Sequence, residues 1–212
     1  MKRSTRLVSI RNTPMVIFEG PECISDDIVK YNDFWEFKLF NQFKEYFPKE
    51  GFMLDIGANM GTHCVQFKHY FPDLKIWAFE PFLENFNLLK SNTDRYHDVH
   101  CFNVGVGSRG SMVHFGNEQV RNSGVIKIVD ESNITNLVIA LDTIEFPEPI
   151  KFIKIDVEGH ELSAFEGMKN TLLKYKPTIW LEDNNLTAVP YLENLGYKVI
   201  SKQIETNDYL MI

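Results

Sequence analysis

The residues with the strongest potential for chemistry lie in a glycine-containing turn after a short apolar segment that ends at Ile56. The chain there runs from Asp55 through Gly57 and Asn59 to Gly61. Glycines at the end of a strand allow a tight turn and let a ligand approach the backbone closely. The helix expected after Gly61 would present free N–H groups and the positive end of its dipole. The turn therefore predicts a site for an adenosine cofactor that carries a carboxylate or a phosphate.

Two known phosphate-binding patterns do not occur in this turn. A dinucleotide site needs a glycine where this chain has Asn59, and a P-loop ends in Gly-Lys followed by Ser or Thr. Asp55 stands two residues before Gly57, where an acid disfavours a pyrophosphate and suits the ammonium group of a methionine moiety. Taken alone, Asp55 is equally consistent with an acid that caps the turn.

Glu80 ends the next predicted strand, 19 residues beyond Gly61. A carboxylate at that place can accept hydrogen bonds from both hydroxyls of a ribose. Phe82 offers a surface for the adenine base or a core aromatic, and Asn103 meets the edge of the base or closes a turn. The predicted cofactor-binding residues are Asp55, Gly57, Ala58, Asn59, Gly61, Glu80, Pro81, Phe82 and Asn103.

A second dense group of polar residues follows the fourth main strand of the predicted sheet. Asp156, Glu158 and His160 are three candidate proton acceptors within five residues, and Glu182 ends the following strand. A positioned base contributes roughly 10²–10⁴-fold to a rate. We therefore predict catalytic roles for these four residues, with either His160 or Asp156 as the base. Capping of the next helix is the alternative, since acids favour a first turn, and it applies most strongly to Glu161.

Strands and helices alternate along the part of the chain that must position these residues. Apolar segments predict strands at 52–56, 74–79, 99–104, 150–155, 177–181, 198–204 and 208–212. Helical spacing separates most of them, at 61–71, 82–93, 160–175 and 187–195. This pattern predicts an α/β, doubly wound, Rossmann-like fold with a mostly parallel seven-stranded sheet and an antiparallel closing strand at its edge. Ligands of such sheets bind at the carboxyl ends of the strands, where both polar groups lie.

Residues 1–50 predict an attachment to a core domain that spans residues 51–212. The attachment would consist of a hairpin within residues 5–20 and one helix over residues 27–47. Within the core, residues 111–115 and 137–141 are accessory strands. The polar segment 116–136 between them, with Asn122-Ser123-Gly124, predicts a long loop that either covers a site or is a surface insertion.

The composition excludes several other classes of protein. The net charge is −7 and no dense basic cluster occurs, so a nucleic-acid partner is not expected. No apolar run is long enough to span a membrane, and Arg11 interrupts the only stretch that resembles a signal peptide. Three widely spaced cysteines indicate a reducing compartment. We expect a cytoplasmic protein, and because the last strand reaches Ile212, we hypothesise one domain of a longer protein.

These motifs together resemble those of the FkbM-type methyltransferases, which depend on S-adenosylmethionine. The order and spacing of the motifs match from about residue 26 to residue 182. The matching segments are Met53–Gly61, Phe79–Pro81, Ala140–Thr143 and Phe152–Glu161.

The resemblance implies a class I methyltransferase fold that binds S-adenosylmethionine and methylates oxygen, often on sugars or other small natural-product hydroxyls. Under this resemblance Asp55, Gly57, Asn59 and Glu80 bind the cofactor, and Asp156 and Glu158 face the reaction centre. The pair Thr62-His63 departs from the family, which often has two aromatic residues there. The methionine end of the cofactor is therefore expected to pack differently.

A divalent metal is the rival to a protein base. Asp156, Asp183 and Asn184 would supply oxygen ligands at the ends of neighbouring strands, a pattern similar to that of catechol-type O-methyltransferases. Such ligands suit Mg²⁺, Ca²⁺ or Mn²⁺. The alternative is an acidic loop without a ligand.

Other functions remain as alternatives to a glycan or small-molecule acceptor. Methylation of nucleic-acid bases commonly uses an Asn/Asp-Pro-Pro-aromatic motif, where this chain has Asp156-Val157-Glu158-Gly159. A protein acceptor, an inactive cofactor-binding interaction module and an NAD-dependent oxidoreductase also remain.

Overall fold

The computed structural model describes residues 3–116, 123, 127–130 and 134–212. Its strands are β1 (Thr5–Ile10), β2 (Thr13–Phe18), β3 (Glu50–Ile56), β4 (Asp73–Phe79), β5 (Val99–Phe102), β6 (Gly105–Val106), β7 (Ser111–Gly116), β8 (Lys127–Val129), β9 (Thr135–Ile139), β10 (Ile150–Ile155), β11 (Thr178–Glu182), β12 (Val199–Gln203) and β13 (Asp208–Met211). Its helices are α1 (Cys23–Tyr31), α2 (Phe37–Phe43), α3 (Thr62–Tyr70), α4 (Leu83–Thr93), α5 (Glu161–Glu166), α6 (Lys169–Tyr175) and α7 (Ala188–Asn194).

Seven strands form the main sheet, in the order β12-β13-β11-β10-β3-β4-β5. The five strands from β11 to β5 run parallel, whereas β13 is antiparallel to both of its neighbours. The predicted doubly wound, mostly parallel seven-stranded sheet is therefore confirmed. The position predicted for the antiparallel strand is wrong, because β13 lies inside the sheet and β12 forms the edge.

Apolar side chains on both faces of the sheet explain why its strands are nearly continuous hydrophobic runs. Leu54 and Ile56 of β3 pack in one buried cluster with Phe165 of α5. Met53, on the opposite face of the same strand, packs in a second cluster with Phe67 of α3. Helices therefore cover both faces of the sheet, so a ligand can reach the sheet mainly at the ends of its strands.

The strand order reverses at β3, which pairs with β4 on one side and with β10 on the other. Chains that leave these strands diverge to opposite faces of the sheet, so a crevice forms at their carboxyl ends. Backbone hydrogen bonds hold these ends together: Gly57 N–H donates to Phe79 O at 2.9 Å, and Asp156 N–H donates to Ile56 O at 3.0 Å. Both predicted groups of site residues lie at this edge.

The single helix predicted over residues 27–47 is wrong, because the chain forms α1 and α2 with a break between them. Asn32 ends α1 in the left-handed conformation, at φ 49°. The Asp33 carboxylate then accepts a hydrogen bond from the Phe34 N–H at 2.9 Å and binds the Arg11 guanidinium. A contact with the distant β1–β2 turn thus ends the helix.

The helix predicted over residues 160–175 is also two helices, α5 and α6. A Cβ atom on Gly167 would lie 1.9 Å from the Gly107 carbonyl oxygen, so only glycine allows the two segments to approach. Asp142 then accepts hydrogen bonds from the N–H groups of Asn170 and Thr171 at 2.9 and 2.8 Å, and these bonds cap the first turn of α6.

The N-terminal attachment packs against the glycine turn and α4. The predicted hairpin is present as β1 and β2, and Met15 and Ile17 share a buried cluster with Met60 and Leu88. The Asn92 side chain donates to the carbonyl oxygens of both Val16 and Met60, at 2.9 and 2.8 Å. The boundary at residues 50 and 51 stays a prediction.

A second sheet, of order β6-β9-β7-β8, lies beside the main one and includes both predicted accessory strands. The loop predicted over residues 116–136 is corrected in part, since β8 lies within it and pairs with β7. Residues 117–122, 124–126 and 131–133 of that prediction lie outside the described residues. In the described part of the chain, no helix is both long and apolar enough to cross a membrane.

Candidate functional site

The turn after β3 is built on three residues with left-handed backbone conformations. Gly57, Asn59 and Gly61 have φ angles of 80°, 50° and 84°. A Cβ atom on Gly57 would lie 1.7 Å from the Asp156 carbonyl oxygen, so this position requires glycine on two grounds. The close approach brings the glycine turn and the polar end of β10 together in one site.

Glu80 connects the glycine turn to the start of α4. Its carboxylate accepts hydrogen bonds from the Asn59 N–H at 2.9 Å and from the Phe82 N–H at 2.7 Å, one on each oxygen. Burial raises the pKa of Glu80 to about 7, although these two N–H groups oppose the shift. Each oxygen retains the capacity to accept a second hydrogen bond, so the carboxylate can serve a ligand with two neighbouring hydroxyl groups.

A cavity of about 640 Å³, including its open mouth, lies above this turn. The cavity extends from the turn to the loop after β10, and strands of the second sheet form its apolar wall. Its lining includes Gly57, Asn59, Glu80, Pro81, Asp156, Glu158, His160, Phe115, Ile128, Val138, Asn85 and Ser123.

Five of the predicted cofactor-binding residues do not line this cavity, namely Asp55, Ala58, Gly61, Phe82 and Asn103. The Asn103 amide donates to the carbonyl oxygens of Glu80 and Pro81, at 2.9 and 3.0 Å, so it holds the end of β4 in place. Gly61 and Phe82 precede the first residues of α3 and α4. These three residues shape the cavity through the backbone, while Ala58 packs in the core.

Asp55 is fully buried beneath the glycine turn. Its Oδ2 atom accepts a hydrogen bond from the Cys64 thiol at 3.0 Å, and burial raises the pKa of that thiol. Its Oδ1 atom has no hydrogen-bond partner among the described residues. The predicted contact of Asp55 with a ligand's ammonium group stays a prediction, since the side chain does not reach the cavity.

The loop after β10 carries the candidate acid–base groups into the cavity. Glu158 and Gly159 have left-handed φ angles of 54° and 94°. The Glu161 carboxylate accepts hydrogen bonds from the Val157 and Gly159 N–H groups at 3.3 and 2.9 Å. Glu161 therefore holds the loop that presents its neighbours, and its bonds go to N–H groups that precede α5, so the alternative of helix capping stays a prediction. A strained non-glycine residue held by its surroundings is common at functional sites, and Glu158 is such a residue.

His160 is half-buried, and burial lowers its pKa below the usual 6.5. The imidazole is therefore neutral near pH 7 and can accept a proton. Asp156 lies nearer the sheet, where its Oδ2 atom is 3.3 Å from the Lys154 ammonium group. Burial would lower the pKa of Lys154, but the carboxylates around it raise that pKa above its usual value.

Glu182 lies at the end of β11 and lines neither of the cavities at this edge. Burial, with the nearby Asp156 carboxylate, raises its pKa well above the usual value, although a hydrogen bond from Asn184 at 2.6 Å opposes the shift. A catalytic role for Glu182 stays a prediction.

His63, the departure from the family's aromatic pair, does not line the cavity. Its ring packs edge-on against Trp180, with centroids 5.1 Å apart, and its Nε2 atom is 3.2 Å from the Glu36 carboxylate. The approach to Glu36 lacks hydrogen-bond geometry, since Nε2 has no hydrogen-bond partner among the described residues. His63 thus belongs to the packing beneath β11.

The predicted metal set of Asp156, Asp183 and Asn184 is not supported. Asp183 is fully buried, and its two oxygens accept hydrogen bonds from three backbone N–H groups at the start of α7, those of Thr187, Ala188 and Val189. Those bonds occupy both oxygens, and Asp183 lines neither of the cavities at this edge. No group of three or more His, Cys, Asp and Glu residues within the described ranges could hold an ion.

A second, more polar cleft adjoins the first cavity. It is lined by Ile128, Glu158, Gly159, His160, Asn184 and Asn185. Glu158, His160 and Ile128 line both spaces. Two ligands bound side by side would therefore meet at a carboxylate and a neutral imidazole.

Sequence reasoning missed the apolar wall of the first cavity and three polar residues at or behind it, namely Glu22, Asn85 and Ser123. Ser123 and Asn85 line the cavity, and Glu22 binds Ser123 from the N-terminal attachment. The Asn122-Ser123-Gly124 segment indicated only a loop, and no local signal connects Ser123 to a residue 101 positions away.

Comparison with known proteins identifies the family. A model of the methyltransferase FkbM domain matches residues 55–199, more than half of the chain. The chain belongs to the FkbM methyltransferase family. The segment from Asp55 to β12 thus contains the matched domain, whereas Glu22 and the β1–β2 hairpin precede it.

Two known proteins have sequences that are similar to that of this chain. The hexuronic acid methyltransferase AglP of Haloferax volcanii is 33% identical over 124 residues, which cover 56% of this chain and 50% of AglP. Methyltransferase 1 of Beauveria bassiana is 22% identical over 185 residues, 72% of this chain and 74% of that protein. The chain therefore matches only half the length of AglP.

A solved structure supports the fold. The crystal structure of the FkbM methyltransferase from Methylobacillus flagellatus aligns with a TM-score of 0.61 at 20% identity, covering 78% of this chain and 44% of that one. The Rossmann-like methyltransferase fold is thus common to both proteins.

Proposed function

We propose that this chain transfers a methyl group from S-adenosylmethionine to a hydroxyl oxygen of a sugar or glycan. The observation that carries the proposal is the junction of the two spaces at Glu158 and His160. One space has the features of a nucleoside site and the other those of a polar acceptor site. Membership of a methyltransferase family supplies the class of reaction.

The residues of the first cavity fit S-adenosylmethionine better than a dinucleotide. The Glu80 carboxylate would accept hydrogen bonds from the ribose hydroxyls, and Gly57 and Asn59 line the cavity beside it. Asn59 occupies the place where a dinucleotide site has a glycine. Asp156 and Glu158, which also line the cavity, would repel a pyrophosphate and favour a cation.

When bound, S-adenosylmethionine supplies an electrophilic methyl group on a sulfonium. The chain's own residues then have two tasks, to align the acceptor oxygen and to remove its proton. Alignment alone can supply about 7–11 kcal/mol. We propose that Nδ1 or Nε2 of His160 accepts the proton of the acceptor hydroxyl. The pKa of an imidazole lies nearer neutral pH than that of an ordinary carboxyl group, which favours the imidazole as the base. Asp156 is the alternative base.

A carbohydrate acceptor is supported by the polar cleft and by the name of one relative. The amide side chains of Asn184 and Asn185 line that cleft beside Glu158, and amides and carboxylates can bind sugar hydroxyls as donors and acceptors. AglP is named a hexuronic acid methyltransferase. The net charge of −7 does not favour a nucleic-acid acceptor. A cytoplasmic location stays a prediction.

The test is methyl transfer from labelled S-adenosylmethionine to neutral hexoses, hexuronic acids and glycans that contain them. We expect a labelled product that resists mild alkali, because a methyl ether on a hydroxyl oxygen is stable where a methyl ester of a carboxylate is not. His160→Ala should abolish most of the transfer, and His97→Ala, at an exposed histidine, is the matched control. An alkali-labile product would overturn the hydroxyl acceptor, and full activity of His160→Ala would overturn the assigned base.

A further inference from the structure

Glu22 is a buried acid whose two oxygens have different partners. Only 2% of the residue is exposed. Oε2 accepts hydrogen bonds from the N–H and hydroxyl of Ser25, at 2.8 and 2.6 Å, and so caps the first turn of α1. Oε1 accepts from the N–H and hydroxyl of Ser123, at 3.0 and 2.9 Å. Oε1 also accepts from the Ile24 N–H at 3.3 Å, so both oxygens cap the helix, and capping leaves only the two bonds to Ser123 unexplained.

Ser123 connects this acid to the wall of the cofactor cavity. The residue is 1% exposed and lines the cavity together with Asn59 and Asn85. Its hydroxyl lies 3.4 Å from the Asn59 Oδ1 atom, and its carbonyl oxygen accepts a hydrogen bond from the Asn85 side chain at 2.9 Å. Its backbone and side chain are thus held from the glycine turn, from α4 and from the N-terminal attachment at once.

The charge of Glu22 makes these contacts strong. Burial would raise its pKa, but the hydrogen bonds from Ser25 and Ser123 outweigh burial and lower it. Hydrogen bonds to an ionised acceptor are roughly twice as strong as neutral ones. A buried charge also binds its partners firmly, since any loss of a donor leaves it unsatisfied.

We propose that Glu22 is a positioning residue for cofactor binding, which fixes Ser123 on the cavity wall and slows the release of the nucleoside. The inference rests on the proposed function, because it concerns the ligand of that cavity. Through Glu22, the N-terminal attachment, which lies before the matched family domain, contributes to the binding of the cofactor.

The experiment measures the dissociation rate of S-adenosylhomocysteine from the full chain by surface plasmon resonance. Glu22→Ala, which removes both bonds to Ser123, should increase this rate about tenfold, the factor that corresponds to about 1.4 kcal/mol, and Ser123→Ala, which removes only the hydroxyl bond, should increase it less. The double variant should release the nucleoside no faster than Glu22→Ala, because Glu22→Ala already removes the bond to Glu22 that Ser123→Ala breaks. Ser25→Ala, which removes a donor to Oε2 and leaves both bonds to Ser123, should accelerate release less than Glu22→Ala, and Glu19→Ala, at an exposed position, should match the wild type.

A second measurement reports on the contact without any ligand. Hydrogen exchange of the Ser123 amide should be faster in Glu22→Ala than in the wild type or in Ser25→Ala, since that amide donates to Glu22. If the wild type binds the nucleoside and Glu22→Ala releases it at the wild-type rate, this inference is overturned and the proposed function stands. Equal acceleration by Ser25→Ala would do the same, because helix capping would then account for Glu22. A wild-type chain that does not bind the nucleoside would overturn the proposed function as well.

Discussion

The raised pKa of Glu80 predicts that cofactor affinity depends on pH near neutrality. The free chain holds Glu80 with a pKa of about 7, because the carboxylate is buried. Ribose hydroxyls donate to the ionised form and so favour it, which means that affinity rises as pH rises through this pKa. If the bound form has an ordinary pKa, the ionised fraction of the free chain sets the affinity. That fraction falls from about nine-tenths at pH 8 to about one-tenth at pH 6, which corresponds to a loss of about tenfold, or 1.4 kcal/mol.

Isothermal calorimetry with S-adenosylhomocysteine at pH 6, 7 and 8 measures this effect. S-adenosylhomocysteine, the demethylated product, lacks the sulfonium charge of the cofactor. Its affinity therefore depends less on the ionisation of the other groups in the cavity. Glu80→Gln should bind more weakly at pH 8 and lose most of the pH dependence. Glu148→Gln, at a partly exposed surface ion pair with Lys75, should retain it. Equal affinity of the wild type at pH 6 and pH 8, or the same tenfold change in Glu80→Gln, would refute this reasoning.

Three further predictions follow from other contacts. Gly57→Ala should destabilise the chain by roughly 3 kcal/mol in urea unfolding, whereas Gly20→Ala, also left-handed but with open space around it, should cost about 1 kcal/mol; equal losses would contradict the contact with Asp156. Asp183→Ala should cost about 2 kcal/mol in urea unfolding through the lost cap of α7, and EDTA should leave the turnover of the wild type unchanged; a metal-dependent loss of wild-type turnover would restore Asp183 as a ligand. His160→Gln should lower kcat roughly 10²–10⁴-fold without weakening cofactor binding, and the wild-type kcat at saturating cofactor should fall only below pH 6.5; a profile unchanged by the substitution would exclude His160 as the base.

Most of the fold was predictable because the strands are apolar on both faces and helices separate them. Segments such as Phe52–Ile56 and Ile150–Ile155 can only be buried parallel strands in this pattern, and both are. The helix breaks at Asn32 and Gly167 were not predictable. Their causes are contacts with Arg11 and Gly107, which are distant in sequence, and helical periodicity carries no information about them.

The site residues that could be predicted from the sequence are those that directly follow a strand, because the end of the strand places them at the cavity. Gly57, Asn59 and Glu80 line the cavity for this reason. Residues with the same local signal can instead bind backbone, as Asn103 and Asp183 do, because a strand end needs its polar groups satisfied as much as a ligand does. The wall of the cavity comes from segments far away in sequence and carries no motif.

The central claim is that Glu80 binds the ribose of a sulfonium nucleoside at the glycine turn, and a thermodynamic cycle tests it most directly. The cycle compares S-adenosylhomocysteine with its 2′-deoxy analogue, on the wild type and on Glu80→Ala, by calorimetry at pH 8. The account predicts that loss of the hydroxyl weakens binding about tenfold or more in the wild type and hardly at all in the variant. An equal loss in both proteins would contradict it, since the hydroxyl would then bind elsewhere.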